Sequence, residues 1–415
     1  MRASSRHSVA VLALIAVAAC SHPRVAPAPL LPNNSIPLNT RLTDARRVLD
    51  SAIDAGAAPG AVLAVSVHGE RDIYATGVIG VGETAKPTGQ TLYDMASLTK
   101  VIALTTLSMM AVNDHRLDLD LPVVHYLPEF ANGKGAKDKV TVRDLLLHDS
   151  GLPADRPLYL QTSDRESAIA LTLRTDLDTL PGTRMLYSDL GAITLTAIIE
   201  KLYHTRIDKL FADRVAGPLG LKRMMYLPPK ALLPEIAPTE DDPWRKRLIR
   251  GEVHDENASR MDGVSGHAGL FSDAEDLLRF GEWALAGARG EKVKGKLQPP
   301  EEFATWTIRQ NHPVGSSRGI GWDTPSGPLS SAGTIMSAHS FGHTGFTGTS
   351  IWVDVDRDIV VVLLTNRVNP VRTTPAFGMI RSVVADAVLR GIARCNAIVG
   401  LAPVLGDAPG GCVRR

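Results

Sequence analysis

The chain of 415 residues is 44% hydrophobic and 21% charged, and its 45 lysines and arginines nearly balance its 44 aspartates and glutamates. A chain of this length and apolar content can bury one large hydrophobic core or two modest ones. The formal net charge of +1 and the lack of a basic run or tail argue against a nucleic-acid partner. We therefore expect a globular protein that acts on small molecules or short polymers, with its oligomeric state left open.

The first residues have the pattern of an export signal. A basic start is followed by an apolar stretch at residues 9–17, too short to span a bilayer, and by two alanines before Cys20. We interpret residues 1–19 as a signal peptide. The sequence ending at Cys20 resembles the bacterial lipobox, in which the cysteine is lipidated and becomes the mature N-terminus; the alternative is a cleaved signal with a chance cysteine. The proline-rich residues 20–40 then indicate a flexible tether. We expect a periplasmic or cell-surface protein that meets the membrane only through this lipid.

Apolar, β-branched runs at both ends of the remaining chain predict two β-hairpins. The first joins residues 61–67 and 73–81 across a glycine turn, and the second joins residues 349–355 and 359–365. Residues 101–110 carry apolar side chains at helical spacing with few charges, which predicts a buried helix. The strand runs lie at the two ends and the helical runs lie between them. The predicted fold class is therefore α+β, with one antiparallel sheet formed from both chain ends, flanking helices and a mainly helical insert.

Further helical runs occupy the middle and the end of the chain. They are residues 142–147, 168–173, 192–202, 274–285 and 376–390. A Gly/Pro-rich stretch at residues 311–333 predicts a loop near the edge of the sheet. We place the main domain at residues 41–392 and a C-terminal tail at residues 393–415. Cys395 and Cys412 could form a disulfide in an oxidising compartment, and neither has ligand-type neighbours at metal-binding spacing.

One Ser-x-x-Lys motif occurs in the chain, at Ser97 and Lys100, where the buried helix begins. A spacing of three residues on a helix puts both side chains on one face, within contact distance. The free N–H groups at a helix start favour negative charge on that serine, and a nearby amine lowers the cost of forming an alkoxide. The alternative is a serine cap followed by an exposed lysine, and the motif alone does not decide between them.

Two further tripeptides could contribute to the same chemistry. Tyr187 begins a Tyr-Ser-Asp sequence, and a tyrosine beside a serine and a lysine can take the serine proton and pass it to a leaving group. His343, Thr344 and Gly345 open the C-terminal hairpin. There, a hydrogen-bonding side chain, a hydroxyl and a glycine on an edge strand can line a substrate carboxylate or carbonyl. Alone, each tripeptide fits a structural role better, as a core tyrosine before a helix or a strand start with a surface histidine.

Together, the three motifs have the order and separation found in serine β-lactamases and penicillin-binding proteins, which are Ser-x-x-Lys, Tyr-x-Asn and Lys-Thr-Gly. The chain resembles the class C β-lactamase branch of that superfamily. This branch includes β-lactamases, D-alanyl-D-alanine carboxypeptidases, D-aminopeptidases and esterases. The resemblance runs from about residue 45 to residue 392. It extends beyond the motifs to residues 93–100, 145–152, 266–272 and 363–367.

The resemblance implies a role for each matching residue. Ser97 is the expected acylated nucleophile, Lys100 assists its deprotonation, and Tyr187 is the expected general base and leaving-group acid. The backbone N–H groups of Ser97 and Phe346 would form the oxyanion hole. The expected substrate-binding residues are Asp189, His343, Thr344 and Gly345.

Two residues depart from the pattern of the family. Asp189 stands where asparagine is usual, and an ionised carboxylate cannot donate a hydrogen bond to a substrate amide. It could instead pair with Lys100, which would raise the pKa of the lysine and make it a poorer base. His343 replaces lysine and weakens any fixed positive charge for a substrate carboxylate at neutral pH. Both changes argue against efficient penicillin hydrolysis and leave acyl transfer intact.

The leading hypothesis is a serine hydrolase with an acyl-enzyme, acting on an ester, a D-amino-acid amide or a β-lactam in a small molecule or cell-wall peptide. An esterase or D-alanyl peptidase ranks above an efficient β-lactamase. The alternatives are a slow penicillin-binding sensor and a non-enzymatic binding or assembly module with the same fold. The resemblance implies no cofactor and no metal; we expect a structural role for His148 and packing or loop roles for His254 and His267.

Overall fold

The computed structural model describes residues 36–398, and their side chains as far as Arg394. The predicted signal peptide, the lipidation site Cys20 and Cys412 lie outside the described residues, as does the side chain of Cys395. The strands are β1 Gly60–Val67, β2 Glu70–Gly77, β3 Tyr93–Asp94, β4 Met225–Tyr226, β5 Asp241–Asp242, β6 Arg247–Leu248, β7 Leu270–Ser272, β8 Phe341–Thr344, β9 Ser350–Asp354 and β10 Ile359–Thr365.

The main sheet has five strands in the order β2-β1-β10-β9-β8, so that both predicted hairpins lie in one sheet. All of its pairings are antiparallel, and β1 of the first hairpin pairs with β10 of the second, from Ala61 with Thr365 to Val67 with Ile359. The predicted sheet built from both chain ends is therefore confirmed. The strand β8 is the edge strand on the side of the C-terminal hairpin, and it carries the His-Thr-Gly motif.

The first hairpin differs from its prediction in the bounds of the second strand. The turn consists of His68 and Gly69, both with left-handed φ angles of 51° and 80°, as two-residue hairpin turns require. Pairing therefore resumes at Glu70 instead of residue 73. It ends at Gly77, where a φ of 76° turns the chain away and an added Cβ would lie 2.3 Å from the carbonyl oxygen of Pro59.

The α-helices cover the predicted runs 142–147, 168–173, 192–202 and 274–285, most of 376–390, and the second half of 101–110, whose first half is π-helical. They are α1 Leu38–Arg41, α2 Thr43–Asp54, α3 Thr106–Asn113, α4 Val123–Tyr126, α5 Val142–Leu147, α6 Leu158–Gln161, α7 Arg165–Arg174, α8 Asp189–Tyr203, α9 Ile207–Phe211, α10 Gly217–Leu219, α11 Glu256–Arg260, α12 Ala274–Ala288, α13 Phe303–Thr307 and α14 Ile380–Ile398. Lys100–Thr105 and Ala212–Ala216 are π-helical, and Pro128–Ala131, Lys137–Lys139, Lys230–Glu235 and Pro375–Phe377 are 3₁₀ turns. Within residues 36–398, no helix is long and apolar enough to cross a membrane.

The main sheet is covered on both faces, which explains why its central strands are apolar throughout. Val62 and Ala64 of β1 face the core that contains α12, whereas Leu63 and Val65 face the core that contains α2 and α14. All residues of β1 and β10 are buried. Since burial of one Val or Leu side chain contributes about 1.5–3 kcal/mol, much of the stability of the sheet comes from these two strands.

The two ends of the described chain depart from the sequence-based boundaries. The helical turn α1 begins at Leu38, inside the segment predicted as a flexible tether, because Glu70 of β2 holds it. The backbone N–H of Leu38 donates to Glu70 Oε1 at 2.8 Å, and Arg41 forms an ion pair with the same carboxylate. The last helix starts at Ile380 rather than residue 376, because Gly378 interrupts the chain with φ 8° and ψ −98°, and it runs to Ile398.

The predicted loop at residues 311–333 contains neither helix nor strand, in agreement with its composition. Isolated bridges join Arg318 to Asp323 and Asp323 to Gly342. The loop therefore lies against β8 at the edge of the main sheet, and it brings Arg318 close to the motif on that strand.

Candidate active site

Ser97 lies in a tight turn between β3 and the helix that begins with the π-helical Lys100–Thr105. The buried carboxylate of Asp94 accepts a hydrogen bond from the backbone N–H of Ala96 at 2.7 Å. Ala96 has a left-handed φ of 45°, which costs an L-residue roughly 1–2 kcal/mol. Asp94 thus holds a strained turn that presents Ser97, which is partly exposed, at the start of a buried helix.

The side chain of Lys100 is buried, and its ammonium group faces three oxygen atoms. Lys100 Nζ donates to Ser97 Oγ at 2.9 Å and to the carbonyl oxygen of His267 at 3.0 Å. It also lies 2.6 Å from Asp189 Oδ1. An ammonium group has three N–H donors and no acceptor, so this set of acceptors matches the charged form of the lysine.

Electrostatics also favour a charged Lys100. Burial disfavours the ammonium form, but the charge of Asp189, together with Tyr187, outweighs burial and raises the pKa of Lys100 above its ordinary value. The ion pair considered from the sequence therefore forms. A charged Lys100 presents a buried cation and a hydrogen-bond donor to Ser97 Oγ.

Tyr187 is brought to this site by the segment that precedes α8. The backbone N–H of Leu186 donates to the carbonyl oxygen of His148 at 2.7 Å, and that of Ser188 donates to His148 Nδ1 at 3.1 Å. Ser188 Oγ caps α8 by accepting from the N–H of Gly191 at 3.1 Å. His148, which ends α5 in a left-handed conformation, thus holds both neighbours of Tyr187 in the chain.

The phenol of Tyr187 lies among basic groups. Lys100 Nζ is 5.0 Å from the centre of its ring, and the rings of His148 and His343 are 4.5 and 5.8 Å away. Burial raises the pKa of Tyr187, against the opposing charge of Lys100. Its hydroxyl is buried, and the side chains that act on it are Lys100 and Ser97.

His343 is a neutral acceptor rather than a cation. Burial, followed by the charges of Arg318 and Lys100, holds the pKa of His343 well below its ordinary value. Its Nδ1 lies 2.9 Å from the carbonyl oxygen of Thr344. Because a carbonyl only accepts, Nδ1 carries the proton and Nε2 carries a lone pair. Nε2 is buried and has no partner among the described residues.

The end of β8 packs directly on the turn that carries Ser97. A Cβ added to Gly345 would lie 2.5 Å from the carbonyl oxygen of Met95, so only glycine allows this approach. Beyond it, Thr347 Oγ1 donates to the carbonyl oxygen of Asp94 at 2.7 Å. Phe346, whose N–H is predicted to serve the oxyanion hole, follows Gly345 and is 48% exposed. The structure thus brings Phe346 and Ser97 onto two segments in contact.

Arg318 is a residue of this site that sequence reasoning missed. Its guanidinium carbon lies 5.2 Å from the centre of the Tyr187 ring, and the residue is only 8% exposed. Nε and Nη1 are buried and have no hydrogen-bond partner in the described part of the chain. The loop sequence gave no periodic signal for this residue. The arrangement leaves a buried positive charge beside Tyr187 and His343, and no carboxylate of residues 36–394 forms an ion pair with it.

Comparison with known proteins places this constellation in a family. A family model described as Beta-lactamase matches residues 45–383. The chain belongs to the Beta-lactamase family. A relative from Salmonella agona (strain SL483), provisionally named D-alanyl-D-alanine carboxypeptidase, is 32% identical over 308 residues, which are 68% of this chain and 70% of that protein. The family and these relatives identify the chain as a serine hydrolase.

Two solved structures share the fold. EstCE1, a hydrolase with promiscuous acyltransferase activity, superposes with a TM-score of 0.68 at 23% identity, covering 85% of this chain and 99% of that one. A class C β-lactamase from Rhodobacter sphaeroides gives a TM-score of 0.65 at 20% identity, covering 84% and 99%. At these identities the likeness concerns the fold alone.

Two further histidines of this Beta-lactamase-family protein lie beside the site and bind carboxylates. His267 Nε2 lies 2.9 Å from Asp255 Oδ1, and its Nδ1 lies 2.8 Å from Ser265 Oγ. His254 Nε2 lies 2.8 Å from Glu240 Oε2. The partners of His267 fix the peptide unit whose carbonyl accepts from Lys100. In the described residues, no group of three or more metal-ligating side chains could hold a metal ion.

Proposed function

We propose that this hydrolase works through an acyl-enzyme on Ser97 and removes the terminal residue from D-alanyl peptides. The observation that carries the proposal is the 2.9 Å contact between Lys100 Nζ and Ser97 Oγ at the start of a buried helix. A fixed cation at this distance stabilises the negative charge that develops on a serine oxygen as it attacks.

In the proposed acylation step, Ser97 Oγ attacks the carbonyl carbon of the scissile amide. The hydroxyl proton of Ser97 passes to Tyr187 Oη, while Tyr187 gives its own proton to the departing nitrogen. A C–O bond forms and the C–N bond breaks, which leaves an ester on Ser97 and a free D-amino acid. A neutral tyrosine suits this relay because it gains one proton and loses one, so that it is neutral before and after each step. Burial favours this neutral form.

Deacylation reverses the path with water in place of the amine. Water attacks the ester carbonyl, Tyr187 accepts one water proton, and its own proton returns to Ser97 Oγ as the C–O bond breaks. Lys100 remains protonated in both steps. The N–H groups of Ser97 and Phe346 would donate to the carbonyl oxygen in each tetrahedral intermediate.

The buried charge of Arg318 supports a substrate with a free carboxylate on the leaving group. An unpaired buried cation is costly, and an anion that binds beside it recovers that cost. Since Tyr187 protonates the leaving group and Arg318 lies over the Tyr187 ring, the carboxylate of a terminal D-alanine would meet this guanidinium. A neutral ester lacks such a carboxylate. The name of the Salmonella agona relative agrees with this choice.

A slow penicillin-binding sensor is the second candidate, and Asp189 favours it. Penicillin also carries a carboxylate, so we expect it to acylate Ser97 by the same route. Asp189, however, pairs with Lys100 and cannot donate to the side-chain amide of the penicillin. An adduct that persists for hours, combined with no turnover of D-alanyl peptides, would favour the sensor over the peptidase.

The test measures release of D-alanine from diacetyl-L-lysyl-D-alanyl-D-alanine and release of D-alaninamide from the same peptide with an amidated C-terminus. Wild type should prefer the free acid. Arg318→Gln should lower kcat/KM on the free acid about tenfold or more, as expected for one lost charge-assisted contact, and change the amide little. Arg318→Lys, which keeps a charge, should retain part of the preference. Absence of D-alanine release in wild type, or release by Ser97→Ala, would refute the proposal.

We further propose that the enzyme is exported and anchored through Cys20 in the periplasm or at the cell surface. The support is the signal pattern that ends at Cys20, together with the location of D-alanyl peptides in the cell wall. Metabolic labelling with a fatty-acid analogue should mark wild type and leave Cys20→Ala unmarked. An unlabelled wild type, where a known lipoprotein labels, would remove the anchor.

A further inference from the structure

Phe346 presents a large exposed aromatic ring that its neighbours hold in place. The ring is 48% exposed, although it follows the glycine packed on the turn of Ser97. The imidazole of His254 stacks on it with ring centres 5.7 Å apart and an angle of 22°. The guanidinium carbon of Arg367 lies 4.6 Å from the ring centre. These two contacts hold the ring and leave about half of the residue open to solvent.

His254 is itself firmly anchored, so the ring of Phe346 rests on a rigid support. The backbone N–H of His254 donates to Asp94 Oδ2 at 2.6 Å, and its Nε2 bonds Glu240. Glu240 also accepts from Arg372 Nε at 2.9 Å. The carboxylate of Glu240 is therefore already bonded to His254 and Arg372.

Arg367 lies over this ring and Arg381 contacts the residue before it, and neither arginine has an acidic partner in the described part of the chain. Arg367 Nη1 donates to the carbonyl oxygen of Arg372, and Arg381 Nη2 donates to that of Gly345 at 2.6 Å. Both guanidinium groups stack on Phe377, at 5.4 and 4.8 Å. Among the ion pairs of the described residues none involves either arginine. Burial and the charge of Arg367 lower the pKa of Arg381 to about 9.

The direction of the substrate follows from the mechanism. Tyr187, His343 and Arg318 lie together on the leaving-group side, because Tyr187 protonates the departing amine. Phe346 lies beyond the end of the same strand, in the turn after Gly345 that packs on the segment of Ser97. The acyl group therefore extends toward Phe346 and the two arginines.

We infer that Phe346, Arg367 and Arg381 form a subsite for an acyl group that carries a carboxylate. This inference rests on the proposed function, because it assigns the acyl end of the same peptide substrate. The exposed ring offers an apolar surface to the stem of an acidic side chain, and the arginines offer the positive charge that its carboxylate requires. The substrate class is a D-alanyl-D-alanine peptide with an acidic residue directly before the D-alanines.

Two peptides that differ only in charge test the subsite. They are Nα-acetyl-L-glutamyl-D-alanyl-D-alanine and the matching glutaminyl peptide, assayed by D-alanine release. Wild type should show a kcat/KM about tenfold or more higher for the glutamyl peptide. Arg367→Gln should abolish this preference, whereas Arg367→Lys should keep part of it. Arg47→Gln on α2, which removes the same charge far from Phe346, is the matched control.

Each outcome separates the subsite from the proposed function. Equal cleavage of both peptides by wild type, or a preference that survives Arg367→Gln, overturns the subsite while the Ser97-dependent peptidase stands. A preference lost equally in Arg47→Gln shows a general effect of net charge and also overturns it. Cleavage of neither peptide by folded wild type refutes the peptidase, and the subsite with it.

Discussion

Replacing Asp189 by asparagine tests whether this carboxylate keeps Lys100 charged. Lys100 Nζ and Asp189 Oδ1 are 2.6 Å apart, with side-chain exposures of 4% and 24%. At an effective dielectric constant of about 20, Coulomb's law gives roughly 6 kcal/mol of gross attraction at this distance, part of which offsets the cost of burying both charges. Asparagine keeps the shape and one oxygen acceptor but removes the charge. We therefore expect the pKa of Lys100 to fall in Asp189→Asn.

The lower pKa of Lys100 in Asp189→Asn should appear in the pH dependence of the acylation rate. In wild type the raised pKa keeps the ammonium protonated at alkaline pH. In Asp189→Asn the ammonium loses its proton at lower pH, and acylation that depends on this charge declines there. We expect the alkaline limb of the acylation rate to move down by at least about one pH unit, equivalent to about 1.4 kcal/mol. Stopped-flow acylation by benzylpenicillin between about pH 6 and pH 11 measures it.

Stability should change in a matching way. A pKa raised by folding contributes stability that is complete below the unfolded pKa of about 10.4 and is lost as pH rises through the folded value. At pH 7, Asp189→Asn should therefore have a free energy of unfolding about 2–4 kcal/mol below that of wild type, measured by denaturant unfolding. The difference in stability between the two proteins should narrow above about pH 10. Asp155→Asn is the control, because Asp155 Oδ1 contacts Asn257 Nδ2 at 2.9 Å. An alkaline limb that stays in place, or moves equally in both variants, would refute the assigned role of Asp189.

Three further changes address the nucleophile, the close approach of β8 and a buried carboxylate. Ser97→Ala should reduce D-alanine release by about 10⁴-fold or more with an unchanged unfolding midpoint; residual Ser97-independent turnover would contradict the mechanism. Gly345→Ala should cost about 1–3 kcal/mol in denaturant unfolding, because its Cβ would lie 2.5 Å from the carbonyl oxygen of Met95; an unchanged midpoint would show that the segments separate freely. Against burial, hydrogen bonds from two basic neighbours lower the pKa of Glu240 to about 2. The stability that Glu240 contributes is present above its unfolded pKa of about 4.3 and is lost as pH falls toward 2. Glu240→Gln should therefore be less stable than wild type at pH 7 and equally stable near pH 2. A stability difference that does not change with pH would show that the lowered pKa of Glu240 is not its cause.

The sheet and the grouping of the three motifs could be predicted because their signals are local. Residues 61–67 and 359–365 are apolar and β-branched in short runs, and a strand buried on both faces needs no more than that. Ser97 and Lys100 are three residues apart on one helix, so their contact follows from helical geometry. The pairing of Asp189 with Lys100 followed from the chemistry of an acid placed in the Tyr-Ser-Asp motif.

Other parts of the site depend on contacts between distant segments. Arg318 lies in a Gly/Pro-rich loop, where no periodicity indicates which way a side chain points, and its position follows from the bridge between Asp323 and Gly342. Arg367 and Arg381 come together only because α14 packs on the sheet. Whether an arginine has an acidic partner is a property of the fold, and sequence spacing does not record it. The start of α14 was missed because Gly378 breaks a run that is otherwise helical.

The pairing of β1 with β10 also sets the order of events during synthesis. Ser97 and Lys100 are made early, but β1 has no partner on one edge until Thr365 has left the ribosome. At about 5–20 residues per second, this interval of roughly 270 residues lasts on the order of tens of seconds. During that time an apolar strand is left with an unpaired edge, which invites association with other chains. A chain truncated before β10 therefore carries the nucleophile but leaves one edge of β1 unpaired.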